Sequence, residues 1–225
     1  AKGLELGTGK RMSEVLTEEV PVSFRDNVCV LSGPNLSREV ARGLPAFSVV
    51  AAKKLQVAKE AQRLLNSPNF NVLISDDIVG VELGGALKNI VALGAGMVDG
   101  LELGNNAKAG FIALSWTEVI SLSVALGAKK STLYGVAGLG DLITTCSSPL
   151  SRNHHVGCEL AKGRCLKEII ASTHEVAEGI NTTAAARDLA QKMKLETPII
   201  DIIYNVLFED LSPAEAFARM TKLKD

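Results

Sequence analysis

The sequence of 225 residues has few aromatic residues, few cysteines and no excess of charge of either sign. Only 4% of its residues are aromatic, and the formal net charge is −1 at pH 7. Because Lys and Arg balance Asp and Glu without long runs of one sign, nothing favours nucleic acid or an anionic membrane as a partner. Plentiful alanine and leucine favour helix, and the length allows one or two domains with a sizeable core.

The four cysteines lack the spacing of a disulfide scaffold or a CxxC pair. We therefore predict that Cys29, Cys146, Cys158 and Cys165 are reduced thiols of a cytoplasmic protein. His154 and Cys158 are one helical turn apart, but a zinc site needs three or four ligands and no others cluster nearby. We predict no metal site.

No signal peptide or uninterrupted apolar span of transmembrane length is present. The most apolar stretch, residues 80–97, is interrupted by Glu82, Lys88 and several glycines. The sequence opens at Ala1-Lys2-Gly3 without an initiator methionine, so we expect it to belong to a larger polypeptide.

Strands and helices are predicted to alternate in the first third of the chain, which indicates an α/β layer. After the N-cap cluster at residues 75–77 we predict helices and no further strand. Residues 1–75 are thus interpreted as an α/β remnant of a Rossmann-like domain, and residues 76–225 as an all-α helical substrate domain. The predicted strands are 27–31, 46–52 and 70–74; the predicted helices are 8–19, 36–42, 56–65, 77–97, 107–126, 142–146, 152–162, 166–171, 178–192, 198–208 and 213–220.

Three glycine-containing segments resemble nucleotide-binding loops without satisfying their spacing. The run at residues 7–10 lacks the first glycine and the Ser or Thr of a phosphate loop, so we predict a turn. The pairs at residues 94–96 and 138–140 fail the GxGxxG pattern and follow no predicted strand. The 225 residues therefore contain no dinucleotide fingerprint.

Lys88 is the only cation of residues 80–97, and it shares a helix face with small residues. No carboxylate lies three or four positions away, so nothing local neutralises its ammonium group. The small residues allow either a backbone or a substrate to come close. A snorkelling lysine and a ligand-binding lysine are about equally compatible with this pattern.

A second candidate lies between Gly135 and Asn153, where glycines precede Asp141 and then Ser151-Arg152-Asn153 opens a helix. A helix N-terminus with hydroxyl, guanidinium and amide groups suits a phosphate. The alternative is that Asp141 and Ser151 are ordinary N-caps and that Arg152 is a solvated charge.

Five motifs occur in the order found in NAD(P)-dependent glycerol-3-phosphate dehydrogenases of the bacterial, cytoplasmic type, and the chain resembles this family over nearly its whole length. The motifs are SGPN from Ser32, GGALKNIVALGAGMVDG from Gly84, GVAGLGDLITTC from Gly135, LSRN from Leu150 and VAEGINT from Val176. The resemblance implies reversible hydride transfer between NAD(P)H and dihydroxyacetone phosphate, giving sn-glycerol 3-phosphate for phospholipid synthesis. It also implies a glycine-rich cofactor loop upstream of Lys2, so we expect the 225 residues alone to be inactive.

The resemblance assigns a role to each matching position. Lys88 matches the general base, with Asn89 beside it and Asp141 nearby as a second catalytic residue. An ordinary lysine is a poor base near neutrality, and we expect burial, Arg152 and an oxidised nicotinamide to lower its pKa. The implied substrate contacts are Lys2, Gly33, Asn35, Lys88, Asp141, Ser151, Arg152 and Asn153, and the implied NAD or NADP contacts are Lys2, Ser37, Arg152, Val176 and Glu178.

Two alternatives to this interpretation stay open. A hydroxyacid dehydrogenase of the 6-phosphogluconate type is disfavoured because it expects Lys and Asn one helical turn apart, whereas Asn89 adjoins Lys88. A non-catalytic helical module used for packing or dimerisation is the other, and a homodimer is compatible with either function.

Overall fold

Three strands form a small mixed sheet in the first third of the chain, and a computed structural model describes residues 2–172 and 177–223. Strand β2 is central: it pairs antiparallel with β1 and parallel with β3. The parallel pair is joined through helix α3, as a parallel connection requires. The elements are α1 (Met12–Glu19), a 3-10 helix (Val22–Asn27), β1 (Cys29–Ser32), α2 (Ser37–Ala41), β2 (Ala46–Ala52), α3 (Leu55–Leu65) and β3 (Phe70–Ser75).

Both faces of β2 are buried because consecutive side chains point to opposite sides of the sheet. Val50 and Ala52 pack with Ala58 of α3 on one side. Val49 and Ala51 pack on the other side against the helical part of the chain. The apolar run of β2 therefore reflects a strand covered on both faces.

Helices make up the rest of the described chain, and no strand follows β3 in residues 76–172 or 177–223. This arrangement confirms the predicted α/β remnant followed by a helical part. The helices are α4 (Ile78–Gly100), α5 (Gly104–Ala125), α6 (Lys130–Leu133), α7 (Asp141–Ser147), α8 (Arg152–Ala161), α9 (Leu166–Ser172), α10 (Glu178–Lys192), α11 (Pro198–Phe208) and α12 (Pro213–Met220).

Helix α4 lies at the centre of the helical part. Asp77 caps it by accepting a hydrogen bond from the Gly80 amide at 2.8 Å, as the N-cap cluster predicted. Its length and apolar character would suffice to cross a membrane, but 83% of the most apolar window is buried inside the protein. The composition of α4 is thus explained by its position in the core.

Two glycines of α4, Gly84 and Gly96, are in contact with protein backbone. A Cβ at Gly96 would overlap the carbonyl of His154 in α8, and a Cβ at Gly157 of α8 would overlap the carbonyl of Leu93. Gly84 lies against the backbone of Ala137. The sequence allowed either a backbone or a substrate to come close to this face. At these positions the structure shows a neighbouring backbone.

Most helix predictions are confirmed, with differences at short elements and helix ends. The 3-10 helix at Val22–Asn27, the single turn of α6 and a π-helical turn at Val136–Gly140 were not predicted. Such short elements carry too few residues for a periodic pattern to be recognised. Helix α4 continues to Gly100 and α5 begins at Gly104, since a turn of three residues is enough to separate them.

Candidate active site

Lys88 is buried in α4 with only 5% of its surface exposed. Its Nζ donates hydrogen bonds to Asp141 Oδ1 at 2.6 Å and to the hydroxyl of Thr145. Both partners lie on α7, and Asp141 is 2% exposed. The expectation that nothing neutralises this ammonium holds only within α4, because a carboxylate 53 residues away supplies the counter-charge.

Asp141 also accepts a hydrogen bond from Lys2, so one carboxylate bridges two ammonium groups. Lys2 Nζ lies 2.5 Å from Asp141 Oδ2 and 2.7 Å from the carbonyl oxygen of Gly33. The Asn89 amide donates to the carbonyl of Lys2 at 3.2 Å. The three charged groups carry a net charge of +1 when both lysines are protonated, and we call them the Lys2–Asp141–Lys88 cluster.

Burial lowers the pKa of Lys88 from 10.5 to about 8, because the charged form loses its hydration. Asp141 opposes this shift, and the positive charge of Lys2 adds to it. The cation acting beside Lys88 is therefore Lys2, where the sequence had suggested Arg152. Burial also raises the pKa of the nearby Cys146 thiol to about 12, so this thiol is neutral.

A cleft of about 790 Å³ opens in front of Lys88. One wall is formed by the start of α8, and Asn35, Ser37 and Glu178 contribute other parts of the lining. Gly33 and Asp141 lie behind the cleft, where they hold Lys2. Val176 falls outside the described residues. The predicted site residues that line the cleft are Lys2, Asn35, Ser37, Lys88, Ser151, Arg152, Asn153 and Glu178.

The start of α8 presents three polar residues to the cleft. Ser151 is the N-cap, and its hydroxyl accepts a hydrogen bond from the His154 amide at 3.3 Å. Asn153 Oδ1 accepts a hydrogen bond from the Gly179 amide at 2.9 Å, which ties α8 to the beginning of α10 beside Glu178. Ser151 is thus an N-cap, as the alternative interpretation of the sequence predicted. Asp141 is no cap, since its carboxylate binds the two lysines.

The turn after β1 brings Asn35 to the opposite side of the cleft. The Asn35 amide group is hydrogen-bonded to the Ser48 hydroxyl at 2.8 Å. Gly33 has a φ of 157°, and a Cβ at this position would lie 2.7 Å from the carbonyl oxygen of Phe47. Only glycine fits where the turn passes so close to β2.

Sequence reasoning missed Thr145, Arg38 and His155, which also line the cleft. Thr145 donates to the Asp141 carbonyl at 2.7 Å while it contacts Lys88. Its position four residues after Asp141 on a helix was a usable signal, because such residues share a face. Arg38 and His155 carried no pattern that distinguished them from solvated charges.

No group of three or more His, Cys, Asp and Glu side chains suited to a metal ion occurs in the described part of the chain. His154, the start of the metal site considered above, has its Nε2 2.6 Å from Asp99 Oδ2. All four cysteines are free.

A partial Rossmann-like sheet, a helical second part and a cleft containing a buried lysine–carboxylate pair are typical of the class of two-domain dehydrogenases with a helical substrate domain. The model of the NAD-dependent glycerol-3-phosphate dehydrogenase C-terminus matches residues 77–218, and the model of the N-terminus matches residues 1–58. The chain belongs to the NAD-dependent glycerol-3-phosphate dehydrogenase family.

Similar proteins agree with this assignment. A glycerol-3-phosphate dehydrogenase (NAD(P)+) of Dehalococcoides mccartyi is 56% identical over 216 residues, which cover 96% of this chain and 60% of the relative. One of Moorella thermoacetica is 49% identical over 93% of this chain and 61% of its own length. The crystal structure of glycerol-3-phosphate dehydrogenase from Coxiella burnetii is 36% identical, with a TM-score of 0.88 over 99% of this chain and 67% of that chain. The chain thus spans about 60% of the length of these curated relatives.

Proposed function

We propose that this protein, at its full natural length, interconverts dihydroxyacetone phosphate and sn-glycerol 3-phosphate with NAD or NADP and so supplies glycerophospholipid synthesis. The observation that carries the proposal is Lys88, a buried lysine with a pKa of about 8 that faces a cleft lined by the polar and cationic N-terminus of α8. A proton carrier near neutrality and an anion site in one cleft are what reduction of a phosphorylated ketone needs. The names of the relatives support the same reaction.

In this proposal Lys88 carries the proton. In the reducing direction its ammonium group donates to the oxygen that develops negative charge at C2, and in the oxidising direction the neutral amine accepts the hydroxyl proton. A pKa of about 8 allows both forms near neutral pH. Asp141 holds the ammonium in place from behind, and Lys2 keeps Asp141 from neutralising it fully.

The phosphate group of the substrate is assigned to the start of α8. The positive end of the helix dipole, the Ser151 hydroxyl, the Arg152 guanidinium and the Asn153 amide are suited to three phosphate oxygens. Lys2, Gly33 and Asn35 would contact the three-carbon part from the β1 side, where the structure places them at the cleft or directly behind it.

The cleft also has room for a cofactor. A volume of about 790 Å³ exceeds what a three-carbon phosphate occupies and lies in the range of pockets that hold larger ligands. Lys2, Ser37, Arg152 and Glu178 would hold part of NAD or NADP, and Val176 is assigned to the same group by the family resemblance. Such a cofactor supplies the hydride, while the protein residues orient the ketone and move the proton.

Two further parts of the proposal concern domain organisation and the isolated chain. We assign residues 1–75 to the cofactor domain and residues 76–225 to the helical substrate domain, supported by the change of architecture between β3 and α4. We expect the 225 residues alone to give no turnover, because they contain no GxGxxG loop to bind the dinucleotide phosphates. Clear NADH oxidation by the isolated chain would contradict this expectation.

We also propose a cytoplasmic homodimer. The four free cysteines fit a reducing compartment. Helix α5 exposes Leu114 and Val124, while its two charged residues are engaged inside the protein: Lys108 with Asp99 and Glu118 with the start of α11. An outward face without charge suits contact with a second copy of the chain. Light scattering that shows only monomer at micromolar concentration would overturn this assignment.

The enzymatic proposal is tested by NADH and NADPH oxidation with dihydroxyacetone phosphate, using the protein at its full natural length. We expect turnover by the wild type and its loss in Lys88→Met with the fold retained. Turnover by this variant near the wild-type rate would remove Lys88 from the proton-transfer role. Absence of turnover by the folded wild type with either cofactor would reject the proposed reaction.

A further inference from the structure

An ion-pair network joins the end of α4 to the first turn of α8, behind the polar residues that face the cleft. Asp99 Oδ2 lies 2.6 Å from His154 Nε2 and 2.5 Å from Lys108 Nζ. His154 directly follows Asn153, and the backbone amide of His154 donates a hydrogen bond to the Ser151 hydroxyl. The network therefore attaches the phosphate-facing turn of α8 to the helix that carries Lys88.

The surrounding contacts make the position of this turn sensitive to the network. Helices α4 and α8 touch backbone to backbone, with Gly96 against the His154 carbonyl and Gly157 against the Leu93 carbonyl. Glycine contacts allow this close approach, and the apolar side chains of both helices in the core add contacts that are not directional. The Asp99–His154 pair is a directional contact at that interface.

We propose that Asp99 and His154 are positioning residues that set the distance between Lys88 and the phosphate-binding turn of α8. This inference rests on the proposed function. It concerns residues that touch neither substrate nor cofactor and that act through Ser151 and Asn153.

The charges around His154 come from three helices. Asp99 of α4 lies at its Nε2 and is shared with Lys108 of α5, and the Cys158 thiol of α8 lies 3.7 Å from its Nδ1. Burial opposes ionisation of Asp99, but the hydrogen bonds from Lys108 and His154 prevail and lower its pKa. Burial raises the pKa of Cys158, so this thiol stays neutral.

Loss of the Asp99–His154 contact is expected to affect substrate binding through the α8 turn. Phosphate binding contributes equally to the ground state and the transition state, so the effect appears in KM and leaves kcat nearly constant.

The test compares the wild type at full natural length with Asp99→Asn, His154→Gln and His154→Arg. We expect Asp99→Asn and His154→Gln to raise the KM for dihydroxyacetone phosphate about 3- to 10-fold with kcat within about two-fold. His154→Arg places a charged donor beside Asp99, so its KM should stay closer to that of the wild type than the KM of His154→Gln does.

Arg164→Gln is the matched control, since it removes an ion pair with Glu159 on the same helix away from the cleft. Its KM should stay at the wild-type value. Melting temperatures recorded for every variant separate positioning from loss of fold. Unchanged KM values in Asp99→Asn and His154→Gln would overturn the inference while the turnover of the wild type still supports the proposed reaction.

Discussion

Replacing Lys88 by methionine should abolish turnover and at the same time stabilise the fold. Methionine has a similar length and no charge, so it fills the space of the lysine stem. Asp141 keeps its ion pair with Lys2 at 2.5 Å, and Thr145 keeps its hydrogen bond to the Asp141 carbonyl at 2.7 Å. The substitution thus leaves no unpaired buried charge, unlike the removal of most buried ion-pair partners.

The magnitude follows from the lowered pKa of Lys88. A change from 10.5 to about 8 means that keeping the ammonium charged in the folded protein costs about 3 kcal/mol at pH 7. Loss of the hydrogen bonds and packing of the lysine offsets part of this gain, so we expect a net stabilisation of about 1–3 kcal/mol. For a chain of this size that corresponds to a rise in melting temperature of roughly 2–10 °C.

The pH dependence gives an independent check. The folded state holds fewer protons than the unfolded state between the pKa of about 8 and the ordinary value of 10.5, so wild-type stability rises with pH in this window. The advantage of Lys88→Met should therefore be full below pH 8 and shrink toward pH 10.5. Thermal melts and urea titrations of both proteins at full natural length measure this difference.

Lys129→Met is the control, because Lys129 forms an exposed ion pair with Asp76. Such a pair contributes little, so the stability of this variant should be indistinguishable from that of the wild type at every pH. Two results would refute the view that burial of the Lys88 ammonium destabilises the fold. One is a folded Lys88→Met protein that is less stable than the wild type at pH 7. The other is a difference in stability between the two proteins that stays constant between pH 8 and 10.5.

Three other predictions concern binding and packing. Arg152→Ala should raise the KM for dihydroxyacetone phosphate about 10- to 100-fold with kcat little changed, since a charge-assisted contact is lost; an unchanged KM would remove Arg152 from phosphate binding. Burial raises the pKa of Glu118 to about 7, against hydrogen bonds from the Ile199 and Ile200 amides. Its folded pKa exceeds the unfolded one, so stability should fall by about 3 kcal/mol between pH 4.5 and 7, and urea titrations of Glu118→Gln should show this slope abolished. Gly157→Ala should destabilise the fold by about 1–3 kcal/mol or more in thermal melts because its Cβ would overlap the Leu93 carbonyl, and an unaltered melting temperature would contradict the α4–α8 packing described above.

Local chemistry was enough to predict most of the fold. Short apolar runs and helical spacing of apolar residues located all three strands and the long helices, and the cap at Asp77 was recognisable from its residue type. Lys88 stood out because it is a lone cation in an apolar helix, and Ser151 because it opens a helix. These are features that neighbours within one turn of the chain decide.

What the tertiary structure decided is which distant groups meet. Asp141 lies 53 residues from Lys88 and 139 from Lys2, and no local pattern brings the three together. The lowered pKa of Lys88 depends on burial by several elements and on the charge of Lys2, and spacing along the chain records neither. Likewise, small residues beside Lys88 permit a close approach, but only packing determines that the backbone of α8 makes it at Gly96. Propensity and periodicity act over a few residues, whereas charge pairing and close contact depend on how the helices pack.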